Sequence, residues 1–135
     1  LKKILILYNA EGDIMNPIFT KGYVANKAIS PYQIVAMTAN GEAAPAVGAA
    51  DKLIGVTGLV GADEGGVADV HRLGISGVRL GGAVAVGDEI TSDSNGFGIK
   101  LNSNGQTIGS AEQAGVAGDI INVFLRSLPA VSTTV

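Results

Sequence analysis

The sequence predicts an all-β fold: a small β-barrel or compact sandwich with short hairpins, at most one or two short helical turns, and an extended N-terminal arm. Three observations carry this. Asn-Gly, a strong hairpin mark, occurs at Asn40-Gly41, Asn95-Gly96 and Asn104-Gly105. Short stretches with a two-residue apolar period lie around these turns. No segment sustains helical periodicity over three turns.

Size and composition agree. A chain of 135 residues fits one domain with a real core. With 47% hydrophobic and 16% charged residues it is far from the composition that fails to collapse. Twenty glycines, three Phe, three Tyr and no Trp imply a core of Val, Ile, Leu and Ala joined by tight turns.

The elements follow in order. "LKKILILY" (1–8) is strand-forming on both faces; its apolar run is too short for a signal peptide, and no later run is long enough to span a membrane. The chain is therefore expected to be soluble. "YQIVAMTA" predicts a strand before the first Asn-Gly, and "APAVGAAD" has room for a turn of helix. "KLIGVTG" (52–58) predicts a short strand.

"GVADVHRLGISGVRLGG" (66–82) predicts a long strand. Val70, Arg72, Val78 and Leu80 share one parity; His71, Leu73, Ile75 and Arg79 share the other. The apolar set changes parity around Ser76-Gly77, which predicts a bulge or sharp bend there. "AVAVGDEI" predicts a strand, a Gly-Asp turn and a new strand, with "GDEITSDS" leading into the second Asn-Gly. "FGIKL" predicts Phe97, Ile99 and Leu101 on one face, between the second and third Asn-Gly. "QTIGSAE" and the apolar "DIINVFLRS" (119–127) predict the last strands, and residues 129–135 a loose tail.

Chemistry is sparse. "TSDSNGFGIKLNSNG" (91–105) offers oxygens and glycines like a cation loop, with Thr91, Asp93 and Asn95 at ligand spacing. However, Asn102 stands where a bidentate Glu is needed, so a turn is the better reading. The single histidine, His71, has no partner set by spacing. Asp63-Glu64 and Asp88-Glu89 are neighbours that point to opposite sides of an extended chain. "GVTGLVG" (55–61) lacks the dinucleotide fingerprint, and one His with no Cys gives zinc too little to bind. No catalytic residues, metal or cofactor are predicted. A net charge of −3 without a basic stripe argues against nucleic acid as a partner.

The segments "VRLGGAVAVGDEITSDSNG" and "AGVAGDIINVFLRS", with "YNAEG", "ISPYQIV" and "KLIGVTG", carry a resemblance. In their order and spacing they resemble the small capsid decoration (cement) proteins of tailed bacteriophages, over most of residues 1–12 and 29–127. The resemblance implies a non-enzymatic protein made in the host cytoplasm and carried on the outer surface of the virion capsid. It would bind the major capsid protein and itself, as a trimer or a dimer, and brace neighbouring coat subunits. Another virion part, a tail or head-fibre module, would share the β-rich, turn-dense composition, and a small β-barrel ligand binder or enzyme is a third alternative. On the cement-protein view residues 1–12 are an arm or first strand, 13–28 an insertion, 29–128 the capsid-binding domain and 129–135 a flexible tail. Candidate partner-binding residues are Lys2, Lys3, Ile4, Leu5, Ile6, Leu7 and Tyr8, which can add to a sheet edge or form an ordinary first strand, together with Phe19 and Tyr23 of the insertion.

Overall fold

The computed structural model describes residues 16–126. The arm or first strand at 1–12, including Lys2 to Tyr8, and the tail at 129–135 lie outside them. The described chain is all-β, with nine strands: β1 (Asn16–Val24), β2 (Ile34–Met37), β3 (Ala43–Pro45), β4 (Leu53–Thr57), β5 (Val67–Arg79), β6 (Glu89–Ser92), β7 (Gly98–Lys100), β8 (Gly109–Ala111) and β9 (Ile120–Leu125). They form one sheet in the order β3-β2-β4-β5-β9-β8-β6-β7, with β1 also paired to β5. Every strand pairing is antiparallel. "APAVGAAD" starts in β3 and continues in turns, so no helical turn forms there.

The sheet curls on itself. Ile34 and Ala36 of β2 share one buried cluster with Ile90 of β6 and Val123 of β9, although β2 and β6 lie near opposite ends of the strand order. Val35, between them, points to a second cluster with Tyr23, Ile29, Ala68 and Val70. The strict alternation of β2 thus feeds two cores from one strand. The largest fully buried aliphatics are Val, Leu and Ile, as the scarcity of aromatic residues requires. Each contributes roughly 1.5–3 kcal/mol relative to exposure.

Long β5 joins the two halves. Val70 and His71 pair with β1 on one edge and with β4 on the other, and Gly74 to Arg79 pair with β9. Burial does not change parity at Ser76-Gly77: Ala68, Val70, Ser76, Val78 and Leu80 are all interior, while Leu73 and Ile75 are only half-buried. The break is at Gly74, whose φ is +98° and where a Cβ would stand 2.4 Å from the Asn16 carbonyl oxygen. β1 crosses so closely there that no side chain fits. Beyond Gly74 the same parity enters the first cluster instead of the second.

The Asn-Gly pairs behave differently from a type I′ turn. Gly41 N donates to Thr38 O and Thr38 N to Glu42 O, so three residues span the β2–β3 connection. Asp93 to Phe97 repeats the pattern between β6 and β7. In both, only the glycine takes positive φ, +80° at Gly41 and at Gly96. This is a type I turn followed by a left-handed glycine. Asn104-Gly105 closes no hairpin, because β7 and β8 flank opposite edges of β6. That stretch docks on a distant loop instead, with Gln106 N donating to Ala49 O. In β7 Gly98 is buried against Val78, Leu80 and Ile90, Phe97 and Ile99 are half-buried and Lys100 is exposed, so the strand's apolar residues only partly leave solvent.

One arrangement occurs twice. Gly87 (φ +89°) and Gly118 (φ +93°) are third residues of type II turns closed by Asp88 N to Ala85 O and Asp119 N to Val116 O. In each, the Asp carboxylate accepts from the first residue's N–H, at 2.8 Å in one and 3.0 Å in the other. The turns bind each other reciprocally through Val84 and Gly115. Leu80 bridges to Gly118 and Asp119 as Ala111 bridges to Gly87 and Asp88. Each equivalent pair is thirty-one residues apart in sequence.

Candidate functional site

The most distinctive surface is built by four residues, Gly58-Leu59-Val60-Gly61, immediately after β4. Both ends are pinned. Gly58 O accepts from Tyr32 N, and Ile29 and Ala62 exchange two backbone hydrogen bonds at 2.8 Å. Both glycines are demanded by close approach: a Cβ at Gly61 would stand 2.1 Å from Ile29 O, and one at Gly58 would meet the His71 ring at 2.8 Å. Tyr32, which holds Gly58, is itself in the left-handed region at φ +56°, an unusual conformation for a bulky residue.

Between these anchors Leu59 and Val60 project outward, 74% and 75% exposed. They form a ridge with a groove on either side. One groove, about 200 Å³, is lined by Val67, Asp69 and His71. The other, about 410 Å³ and more open, is lined by Ala28, Ile29, Ser30, Ala62 and Asp63. Val67 adds a further apolar side chain, 68% exposed. Exposed aliphatics are ordinary when scattered; a contiguous set held on fixed backbone is the mark of an interaction surface.

His71 supports the floor of the first groove. Its Nδ1 lies 2.8 Å from Ser76 Oγ. Burial lowers the histidine pKa, against an upward pull from the Asp69 charge. The Ser, His and Asp types suggest a nucleophilic triad, but Ser76 is wholly buried, so its hydroxyl positions the imidazole and does not face a substrate.

Of the other residues singled out by the sequence, Asp93, Asn95, Asp88 and Glu89 are occupied locally, whereas the buried Thr91 hydroxyl has no hydrogen-bond partner among the described residues. Asp93 Oδ1 accepts from Asn95 N at 2.8 Å and from Phe97 N at 2.9 Å, so the carboxylate caps its own hairpin. Asn95 contributes its carbonyl to Gln33. Asp88 closes its Gly-Asp turn, while Glu89 pairs with Arg126 and accepts from Thr107. Among the described residues no three His, Asp or Glu side chains gather in a metal-binding group.

Phe19 and Tyr23 lie on β1, but their settings differ. Phe19 is 45% exposed, whereas Tyr23 is buried in the second cluster and its hydroxyl accepts from Arg72 at 2.7 Å. Tyr23 therefore packs within this chain. Residues 16–25 of the segment read as an insertion form β1 and its continuation, and contribute Tyr23 and Ala25 to the interior. Sequence reasoning missed the ridge. Its trace was the glycine spacing of "GVTGLVG".

No protein-family model matches the chain, and no curated protein sequence is similar to it. Among solved structures it is similar to the head fiber gp8.5 N base of bacteriophage phi29. The match has a TM-score of 0.62 at 16% sequence identity and covers 80% of this chain and 93% of that one. At that identity the likeness establishes a shared fold.

Proposed function

We propose that this chain is a structural protein of a phage head: a capsid decoration protein that binds the outer surface of the expanded capsid and braces contacts between major capsid protein subunits. The observation that carries this reading is the fold shared with a phage head-fibre base. The resemblance of the glycine-turn segments to cement proteins supports it. So does the ridge, which offers adhesion through a fixed apolar shape and presents no reacting groups. The protein acts as a homo-oligomer, with a trimer favoured, because linked copies multiply modest affinities by roughly 10²–10⁴.

A second reading, the base of a head fibre, is favoured by the near-complete coverage of the fibre-base chain. One experiment separates the two. Purified protein is mixed with expanded undecorated capsids and with procapsids, sedimented, and the decorated particles are imaged and melted. A decoration protein occupies sites across the lattice of expanded capsids and raises their melting temperature. A fibre base binds without stabilising the shell. Failure to co-sediment with the expanded form overturns both.

A further inference from the structure

We infer that the Leu59–Val60 ridge is the surface that grips the coat, and that it takes an extended apolar segment of the capsid protein carrying a lysine or arginine. The inference rests on the capsid-binding function proposed above. Leu59 and Val60 are held apart from the chain's own interior by a loop fixed at both ends, so their exposure is built in and not a product of loop motion. Two grooves beside the ridge give successive side chains of an extended partner a place on each side.

Charge defines the partner further. Asp69 lines one groove and Asp63 the other, and among the described residues neither is lined by Lys or Arg. His71 is held toward its neutral form by burial. An apolar partner segment with one basic residue therefore meets both apolar walls and an acidic rim. Strand β1 adds main-chain capacity on the far side of β5: among the described residues its other edge pairs with no strand along 16–24. A partner strand can add there by backbone hydrogen bonding.

The test uses full-length protein and expanded undecorated capsids. Leu59→Asp/Val60→Asp should keep the wild-type melting temperature, since both side chains are exposed, yet lose roughly 30-fold or more in capsid affinity, as for a hot spot. Asp63→Asn/Asp69→Asn should weaken binding and flatten its salt dependence. Val86→Asp, an equally exposed valine on a Gly-Asp turn, should bind as wild type. A folded ridge variant with wild-type affinity overturns the inference and leaves capsid binding standing; wild-type protein that does not bind overturns both. Two further results also overturn it. If deleting residues 1–8 raises hydrogen exchange at the ridge in the free protein, the occupant is the chain's own N-terminal segment. If the ridge variant turns an oligomer into monomers in sedimentation, the occupant is a second copy.

Discussion

The side-chain amide of Gln33 donates a 2.7 Å hydrogen bond to the carbonyl of Asn95, joining the start of β2 to the tip of the β6–β7 hairpin across sixty-two residues. Its own Oε1 accepts from Ser30 N at 2.8 Å, and Ile34 N donates to Gly96 O beside it. Gln33 is nearly buried, so these bonds are made where water does not compete freely. Replacing Gln33 with Leu strands a carbonyl and an N–H together. The expected loss is about 1–3 kcal/mol of unfolding free energy, read by urea denaturation. An unchanged midpoint would show that the curl of the sheet does not depend on this clasp.

Asp93 governs the hairpin that most resembles a cation loop. Its carboxylate already accepts two backbone N–H groups, so Asp93→Ala should cost about 1–2 kcal/mol. Calcium or EDTA should leave the wild-type melting temperature where it is. A calcium-dependent rise that disappears in Asp93→Ala would reassign the loop as a cation site.

Gly61 and Gly48 make a matched pair. A Cβ at Gly61 meets Ile29 O at 2.1 Å, whereas one at Gly48 meets nothing within 4 Å among the described residues. Gly61→Ala should destabilise by about 1–3 kcal/mol and, by displacing the ridge, reduce capsid retention. Gly48→Ala should stay within about 0.5 kcal/mol of wild type. Thermal melts of the two variants check both.

His71 gives stability a pH dependence. Burial holds its folded pKa below the ordinary histidine value of about 6.5, the Asp69 charge opposing in part. Above that value the imidazole is neutral in both folded and unfolded chains and adds no dependence. As the pH falls below it, the unfolded chain takes up a proton first, so stability declines until the folded pKa is also passed. Urea midpoints should therefore fall between pH 7 and pH 5, and His71→Gln should flatten that part of the profile. An equal slope in the variant would assign the effect to another group.

Local chemistry made much of the fold legible. β2, β4, β6, β8 and β9 lie inside the stretches whose composition marked them, and two of three Asn-Gly pairs sit at hairpin tips. What failed depends on distant partners. Asn104-Gly105 carries the same dipeptide as the other two, but its neighbour is Ala49, which no local rule identifies. The bend in β5 falls at Gly74 because β1 crosses there, while the apolar residues Leu73 and Ile75 suggested a slip that burial does not follow. β1 itself has Pro17, Gly22 and little alternation, so it is strand only by virtue of β5. The ridge was hidden for the same reason: Gly61 is glycine because of the Ile29 carbonyl, thirty-two residues earlier.

The two Gly-Asp turns cannot let go one at a time. Each holds the strand that leads into the other, through Leu80 and Ala111, and they are joined at Val84 and Gly115. Breaking either set frees the flank that the remaining set needs, so residues 80–122 make a single cooperative unit. Amides through this half should show one common opening free energy in native-state exchange, with no gradient running inward from the turn tips.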